Sequence, residues 1–446
     1  MSPAHKQPSK RDELNTGSQT MITKTFRKTL LTLAVLAALG AAGSASAAVY
    51  VQCGPNNNGV ATDGSIQPAF RTGPAVTGSA ECMHLTAGDG FISMADGRTL
   101  YTFGFADVSA KPVSDVILDT LAATFAAPTI ELQQGKDFYL TLTNVSMAMR
   151  PDLFDPHTVH FHGFPQQPPV FDGMPEGSFG VNMGSSVTYY YKLNDPGTYM
   201  YHCHQEATEH MQMGMLGNLY VKPSQDEILK LTNPAPNPLN IPKTLNGRRL
   251  AGYVYNDGNA STGYHKAYPL QLGSMDHAFH ELHLAVQPLP FKDMKDTYPM
   301  INGRGYPDTV NPAPLPAPLE KAEYLAAQNK TADSSQPVSS HISVDRGERI
   351  LLRMTNLNVT NYYTITTQGL PMKVVGMGAR QLKGPTGTEL YYDTASVTLG
   401  GGESAEVLID TSQVAAGTYF LYTTNLNFLS NFEQDYGGMM TEIVIN

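Results

Sequence analysis

Two short segments forty residues apart, His157-Thr-Val-His160-Phe-His162-Gly163 and His202-Cys203-His204, concentrate side chains that ligate transition metals, and His210 and Met215 follow the second. Successive side chains on a β-strand point to opposite faces, while residues two apart share one. Cys203 therefore faces away from His202 and His204, and His160 and His162 share a face that His157, at odd parity, does not. Two donor sets follow. His157, Cys203, His210 and Met215 supply two imidazoles, a thiolate and a thioether, the donors of a blue (type 1) copper centre with its weak axial Met. Met213 is the alternative thioether, because Met also serves as an adaptable core filler. His160, His162, His202 and His204 converge on the opposite side as four imidazoles that can hold further copper. Cys203 sits between two members of the second set, so it joins the two sites covalently and offers an electron a short bonded path.

The pattern resembles the multicopper oxidases, whose last cupredoxin domain carries His-Pro-x-His-x-His-Gly and His-Cys-His motifs. The resemblance implies type 1 roles for His157, Cys203, His210 and Met215, a type 2 role for His160, and type 3 roles for His162, His202 and His204. One departure is visible. Five residues separate His204 from His210 where the family usually has three. A longer ligand loop of this kind is similar to two-domain laccases and copper nitrite reductases; it keeps the ligand set and leaves the subfamily open.

The elements that must position these residues read as short strands at 100–105, 129–132, 138–143, 157–162, 186–193 and 198–202, punctuated by turns such as Asp195-Pro-Gly197. This is the rhythm of a β-sandwich. A chain of 446 residues exceeds one ordinary core, and only 15% charged residues with 40 Gly and 31 Pro favour turn-rich β structure. The predicted fold is all-β: two tandem cupredoxin-type Greek-key sandwich or barrel domains, the cupredoxin type being what the resemblance implies. The expected divisions are a Gly- and Asn-rich lead-in at 48–95, a copper-binding domain at 96–223, a linker at 224–245 and a second domain at 246–446. Within the last, 312–340 reads as a Pro- and Ala-rich surface insertion with a helical piece near 319–328.

The second block repeats the first. Leu142-Thr-Asn144 is echoed by Met354-Thr-Asn356, the first histidine segment by Tyr363-Thr-Ile-Thr366-Thr-Gln368-Gly-Leu-Pro371, and Gly197-Thr-Tyr-Met-Tyr-His-Cys-His204 by Gly417-Thr-Tyr-Phe-Leu-Tyr422-Thr423-Thr424. The frame is kept and the ligands are replaced, so the second domain is expected to bind no copper. Tyr298-Pro-Met-Ile-Asn-Gly-Arg304 and Gly438-Met-Met440 also resemble multicopper oxidase sequence, which extends the likeness over 96–446.

From Met21 the chain runs through basic residues, an apolar stretch at 30–42 and Ala45-Ser46-Ala47, the layout of a secretory signal. Residues 1–20 read as an upstream extension and 21–47 as the signal, which places the mature protein in the periplasm or outside the cell, with no membrane span. If Cys203 binds copper, Cys53 and Cys82 remain and an oxidising compartment favours a disulfide between them, with two free thiols as the alternative. A net charge of −10 argues against nucleic acid as a partner.

The family's oxygen-reducing trinuclear cluster takes four histidines from each of two domains, and this chain has four in motif. His5, His84, His265, His277, His280, His283 and His341 make no His-x-His pair, and hydrogen-bonded or solvated roles are expected for them. The resemblance thus implies a homo-oligomer: two first domains abutting as a dimer, or a histidine borrowed across a trimer. The alternative is a blue copper with only a partial second site. The expected function is oxidation of a phenol or a low-valent metal ion coupled to reduction of oxygen. Nitrite reduction is the second reading, weakened because His160 stands where those enzymes carry an Asp, and a blue-copper electron carrier or copper-handling protein is the third.

Overall fold

The computed structural model describes residues 80–165, 167–231, 240–331 and 334–446. The upstream extension, the signal and Cys53 lie outside them. Cys82 is disulfide-bonded and Cys203 is a free, buried thiol.

Eight strands build the first half: β1 (Ala80–Ser93), β2 (Thr99–Asp107), β3 (Ala127–Gln133), β4 (Asp137–Asn144), β5 (His160–His162), β6 (Ser186–Lys192), β7 (Gly197–His202) and β8 (Leu216–Lys222). They form two four-stranded sheets ordered β2-β1-β4-β6 and β3-β8-β7-β5. Phe138, Leu140 and Leu142, two apart on β4, enter one core with Tyr189 and Tyr191 of β6 and with Phe161, Tyr199 and Tyr201 of the other sheet. Phe161 stacks on Tyr191 with ring centroids 4.1 Å apart. Burying such a ring stabilises by about 2–3 kcal/mol, and it fixes the register: with Phe161 inward, His160 and His162 must point outward.

The second half repeats this plan with β9 (Lys266–Met275), β10 (Tyr298–Ile301), β11 (Ile342–Val344), β12 (Arg349–Asn356), β13 (Tyr363–Thr367), β14 (Met372–Met377), β15 (Ser396–Leu399), β16 (Glu403–Asp410), β17 (Gly417–Thr423) and β18 (Met440–Ile445). One sheet runs β10-β9-β12-β16-β14 and the other β11-β18-β17-β13-β15. Pairing senses match as well: β1 with β4 and β9 with β12 are parallel, as are β3 with β8 and β11 with β18. Register carries the sequence repeat down to single residues. His160 pairs with His202, and Thr366 pairs with Tyr422. Asn144 and Asn356, the echoed asparagines, do the same work, each accepting from the amide two residues on at 2.9 and 2.7 Å while donating to carbonyls of its own half.

A buried polar seam joins the halves. The Thr198 amide donates to Glu406 Oε1 at 2.6 Å, Tyr255 donates to Glu406 Oε2 at 2.9 Å, and Arg353 Nη1 reaches Thr198 Oγ1 at 3.0 Å. Glu406 and Arg353 are both buried.

Three expectations need correction. The stretch expected as lead-in contains β1, which pairs with both β2 and β4, so the first sheet begins well before residue 96. The strand expected at 157–162 is only His160–His162; His157 makes an isolated bridge with Val181, because the next amide, that of Thr158, turns toward Cys203 Sγ instead of a ladder partner. The insertion at 312–340 is not simply a surface loop. It does carry the expected helix, Leu319–Ala326, but Lys321, Ser335, Gln336 and Ser340 are buried. Gln336 and Ser335 accept the Ser93 and Phe125 amides at 3.0 and 2.9 Å, and Gln336 also bonds Gly303, so the segment straps one half to the other. No helix among the described residues is long and apolar enough to cross a membrane.

Candidate metal centre

Cys203 Sγ lies 3.2 Å from His210 Nδ1 and 3.9 Å from His157 Nδ1, and all three residues are buried. Local structure explains the convergence. Tyr199 and Tyr201 of β7 face the core, and Cys203, two residues further, keeps that side. Leu216 pairs with His202, which sends Met215 to the face that Cys203 uses. The Cys203 amide donates to Met215 O at 3.1 Å and the Met215 amide to His210 O at 2.8 Å, so backbone bonds tie these donors together. Met213 is buried as well, but it ends a helix.

That helix, α1 (Ala207–Met213), is what the longer spacing between His204 and His210 becomes. It is entered through Glu206 at φ +47° and left through Gly214 at φ +117°. The sequence reading anticipated a loop here and gave no helical signal, because seven residues hold too little periodicity to register.

The two imidazoles sit in different electrostatic settings. Burial together with His210 holds His157 well below the usual imidazole range, which leaves it neutral and able to ligate. Burial also acts against charge on His210, yet Cys203 and Asp155 outweigh it and raise the ring to about 10. A thiol and two imidazole nitrogens converging in a dry pocket fit copper by donor type and number. Asp155 Oδ2 lies 3.9 Å from His210 Nε2, on the ring edge away from Cys203. The Thr158 amide donates to Cys203 Sγ at 3.4 Å, and the Thr158 hydroxyl accepts from the His204 amide at 3.0 Å. Neither Asp155 nor Thr158 was legible as a site residue, although both neighbour His157.

His160, His162, His202 and His204 gather on the opposite side, with the His160 ring centroid 5.0 to 6.0 Å from the other three. Burial lowers His160 and His162 and brings His202 down to about 3, so these rings are neutral. His160 Nδ1 donates to Asp172 O at 2.6 Å, with the Asp172 carboxylate 3.2 Å away, and His202 Nδ1 bonds Cys203 O at 2.9 Å. Each leaves Nε2 for another partner. Among the described residues, groups whose ligand atoms all lie within 4.8 Å are His157–Cys203–His210 and Asp155–Glu206–His210; the four histidines do not close on one ion in that way. The second half approaches this set at Gly402, where an added Cβ would stand 2.5 Å from the His162 ring. By register, Thr366 and Tyr422 hold the places of His160 and His202 there.

The remaining described histidines are largely hydrogen-bonded. His84 Nε2 meets Thr143 Oγ1 at 2.8 Å and His265 Nδ1 accepts the Arg349 amide at 2.7 Å. His277, His280 and His283 lie on one helix, α2 (His277–Leu284): His277 pairs with Glu281, His283 bonds Glu209, and His280 has the carbonyls of Tyr101 and Gln212 beside its two ring nitrogens. A separate narrow crevice lies between α1 and β9, lined by Met211, Gln212, Gln271 and Met300 among others.

Comparison with known proteins agrees with the donor chemistry. Two family models described as multicopper oxidase match residues 109–226 and 291–441. Copper resistance protein A of Pseudomonas syringae pv. tomato is 34% identical over 87 residues, 19% of this chain and 14% of that protein. A laccase of Aspergillus fumigatus is 27% identical over 154 residues, 31% of this chain and 25% of that protein. The chain thus matches a quarter or less of the length of these relatives. The blue copper oxidase of Nitrosomonas europaea superposes with a TM-score of 0.55 at 21% identity, covering 82% of this chain and 86% of that one, which establishes the cupredoxin fold. With both halves matched by the family's models and a Cys–His₂ cluster at the centre of the first, the chain belongs to the multicopper oxidase family, and its cofactor is copper.

Proposed function

We propose that this chain is an exported oxidase that takes single electrons from a phenol or a low-valent metal ion at a type 1 site and delivers them to oxygen at a histidine cluster. The observation that carries the reading is the buried Cys203 Sγ set between His157 Nδ1 and His210 Nδ1, with Met215 bonded by backbone to the same group. Bound copper would supply the one-electron couple. The chain supplies the rest. His157, Cys203, His210 and Met215 hold the first ion and keep water away from the sulfur. His210 presents its Nε2 edge toward Asp155, where a reductant would approach. His160, His162, His202 and His204 hold the second site, with His160 oriented by Asp172. Between them runs the Cys203 peptide, and the bond between His202 Nδ1 and Cys203 O adds a second connection.

Four imidazoles are half of the family's cluster, so the complete site is assigned to a homo-oligomer in which another copy supplies the other half. Copper per chain, read together with spin resonance and oligomeric mass, tests this. More than one copper per chain in an oligomer, with a type 2 signal, is the expected result; about one copper without that signal overturns the cluster. His162→Ala is expected to abolish oxygen consumption and spare the blue absorption, and Cys203→Ser to remove the blue absorption. The loose spacing of the four histidines and the Thr366 and Tyr422 replacements favour a second reading, a blue-copper electron carrier, which predicts a blue protein that consumes no oxygen.

A further inference from the structure

We infer that the second half is the outer clamp of the blue-copper site, with His280 and His283 of α2 as positioning residues for the ligand helix α1. The inference rests on the reading of His210 as a copper ligand. A helix of seven residues is too short to sustain itself in water. It also lacks a side-chain cap at its start, and Glu206 enters it in the left-handed region. Something outside α1 must hold it, and α2 does so at two points.

His283 Nε2 donates to Glu209 Oε1 at 2.8 Å, and Glu209 directly precedes His210. The tautomer is set from the other side of the ring, where Arg150 Nη1 lies 3.1 Å from His283 Nδ1 and can only donate to it. Arg150 is itself held by a two-pronged bond to Asp152, at 2.8 and 2.7 Å, and also donates to the His283 carbonyl. One turn earlier, the neutral His280 ring lies between Tyr101 O on β2, 2.6 Å from Nδ1, and Gln212 O on α1, 3.0 Å from Nε2, and its single N–H donates to one of the two carbonyls. Phe103 of β2 fills the space between, edge-on to His210 at 5.7 Å and to His283 at 4.8 Å. Asp276 caps α2 by accepting from the Ala278 amide at 2.9 Å and so fixes the helix that carries both rings. A half that has exchanged copper ligands for Thr366 and Tyr422 thereby still governs copper geometry, from outside the ligand set.

The test uses the full copper-loaded chain and four variants: His283→Ala, His283→Gln, Glu209→Gln and, as a control, His265→Gln, which removes a hydrogen-bonded histidine of the second half away from α1. His283→Ala is expected to weaken copper binding at the blue site by about 10–100-fold, the usual cost of losing an outer-shell partner. It should also shift the thiolate charge-transfer band and the copper hyperfine splitting. His283→Gln, whose amide can still donate to Glu209, should restore most of the affinity. Should His283→Ala fail to fold, Glu209→Gln carries the same test with a milder change. In the copper-free chain, amide exchange over 207–213 should rise several-fold in His283→Ala and stay unchanged in His265→Gln. Unchanged spectra, affinity and exchange in a blue protein overturn the clamp. Equal effects from His265→Gln overturn it too, since the second half would then act through folding alone. A wild-type chain that never turns blue refutes the copper reading itself, while the exchange experiment still judges the clamp.

Discussion

Thr158 carries the sharpest lesson at the scale of single residues. The parity of a strand sets His157 apart from His160 and His162, but no strand runs through Thr158; its amide points at Cys203 Sγ at 3.4 Å. The candidate donors could be picked out from sequence because only certain side chains bind copper, whereas Thr158, Asp155 and Asp172 lie beside them by position and look ordinary in a string of letters. Ionisation is decided at the same scale. Burial holds His84 down to about 4, from an ordinary 6.5. The unfolded chain therefore binds more protons between those values, and stability falls as pH drops below 6.5 and continues to fall until about 4. The shift corresponds to about 3 kcal/mol at full effect. His280, also held to about 4 by burial, adds to the same slope. Urea titrations of His84→Gln between pH 4 and 7 should show a visibly flatter dependence than wild type; an unchanged slope would remove His84 from this account.

At the scale of elements, α1 and its exit decide whether the donors meet. Gly214 sits at φ +117°, and a Cβ there would stand 2.8 Å from Phe103 O and 3.3 Å from the Phe125 ring. Gly214→Ala is expected to cost at least about 1 kcal/mol, since both conformation and space oppose the methyl group. Displacing the turn between His210 and Met215 should also weaken the blue absorption per chain. Wild-type stability and colour in the variant would show that the turn tolerates the shift. The strands themselves were largely legible, β2, β3, β4, β6 and β7 lying within a few residues of expectation, because alternation and turn residues are local signals. The exceptions share one cause. β1 was hidden in a stretch that looked like lead-in, and α1 in a spacing that looked like a loop; both owe their form to partners far along the chain, Asn144 and its neighbours for β1 and α2 for α1.

At the scale of the whole molecule, the two halves form one mechanical unit. Glu406 is buried and receives Thr198 and Tyr255, while Arg353 lies beside it in the same seam. Glu406→Ala leaves a buried guanidinium without its counter-charge, which costs about 3–5 kcal/mol in comparable settings. Thermal unfolding should show the loss as one lowered transition. Two separate transitions, one per half, would mean that the seam does not couple them.

The sequence by itself determined the metal chemistry and the repeated frame. Donor identity is a property of the side chain, and a strand's period of two is a property of the backbone, so His157, Cys203 and His210 as candidate donors, and Thr366 in the place of His160, could be read without coordinates. Only the tertiary structure decided that the second half grips the ligand helix through His280 and His283 and that the 312–340 segment is a strap anchored by buried Lys321, Ser335, Gln336 and Ser340. Those contacts join residues far apart in the chain, and no local pattern records which distant carbonyl or carboxylate a buried histidine will meet.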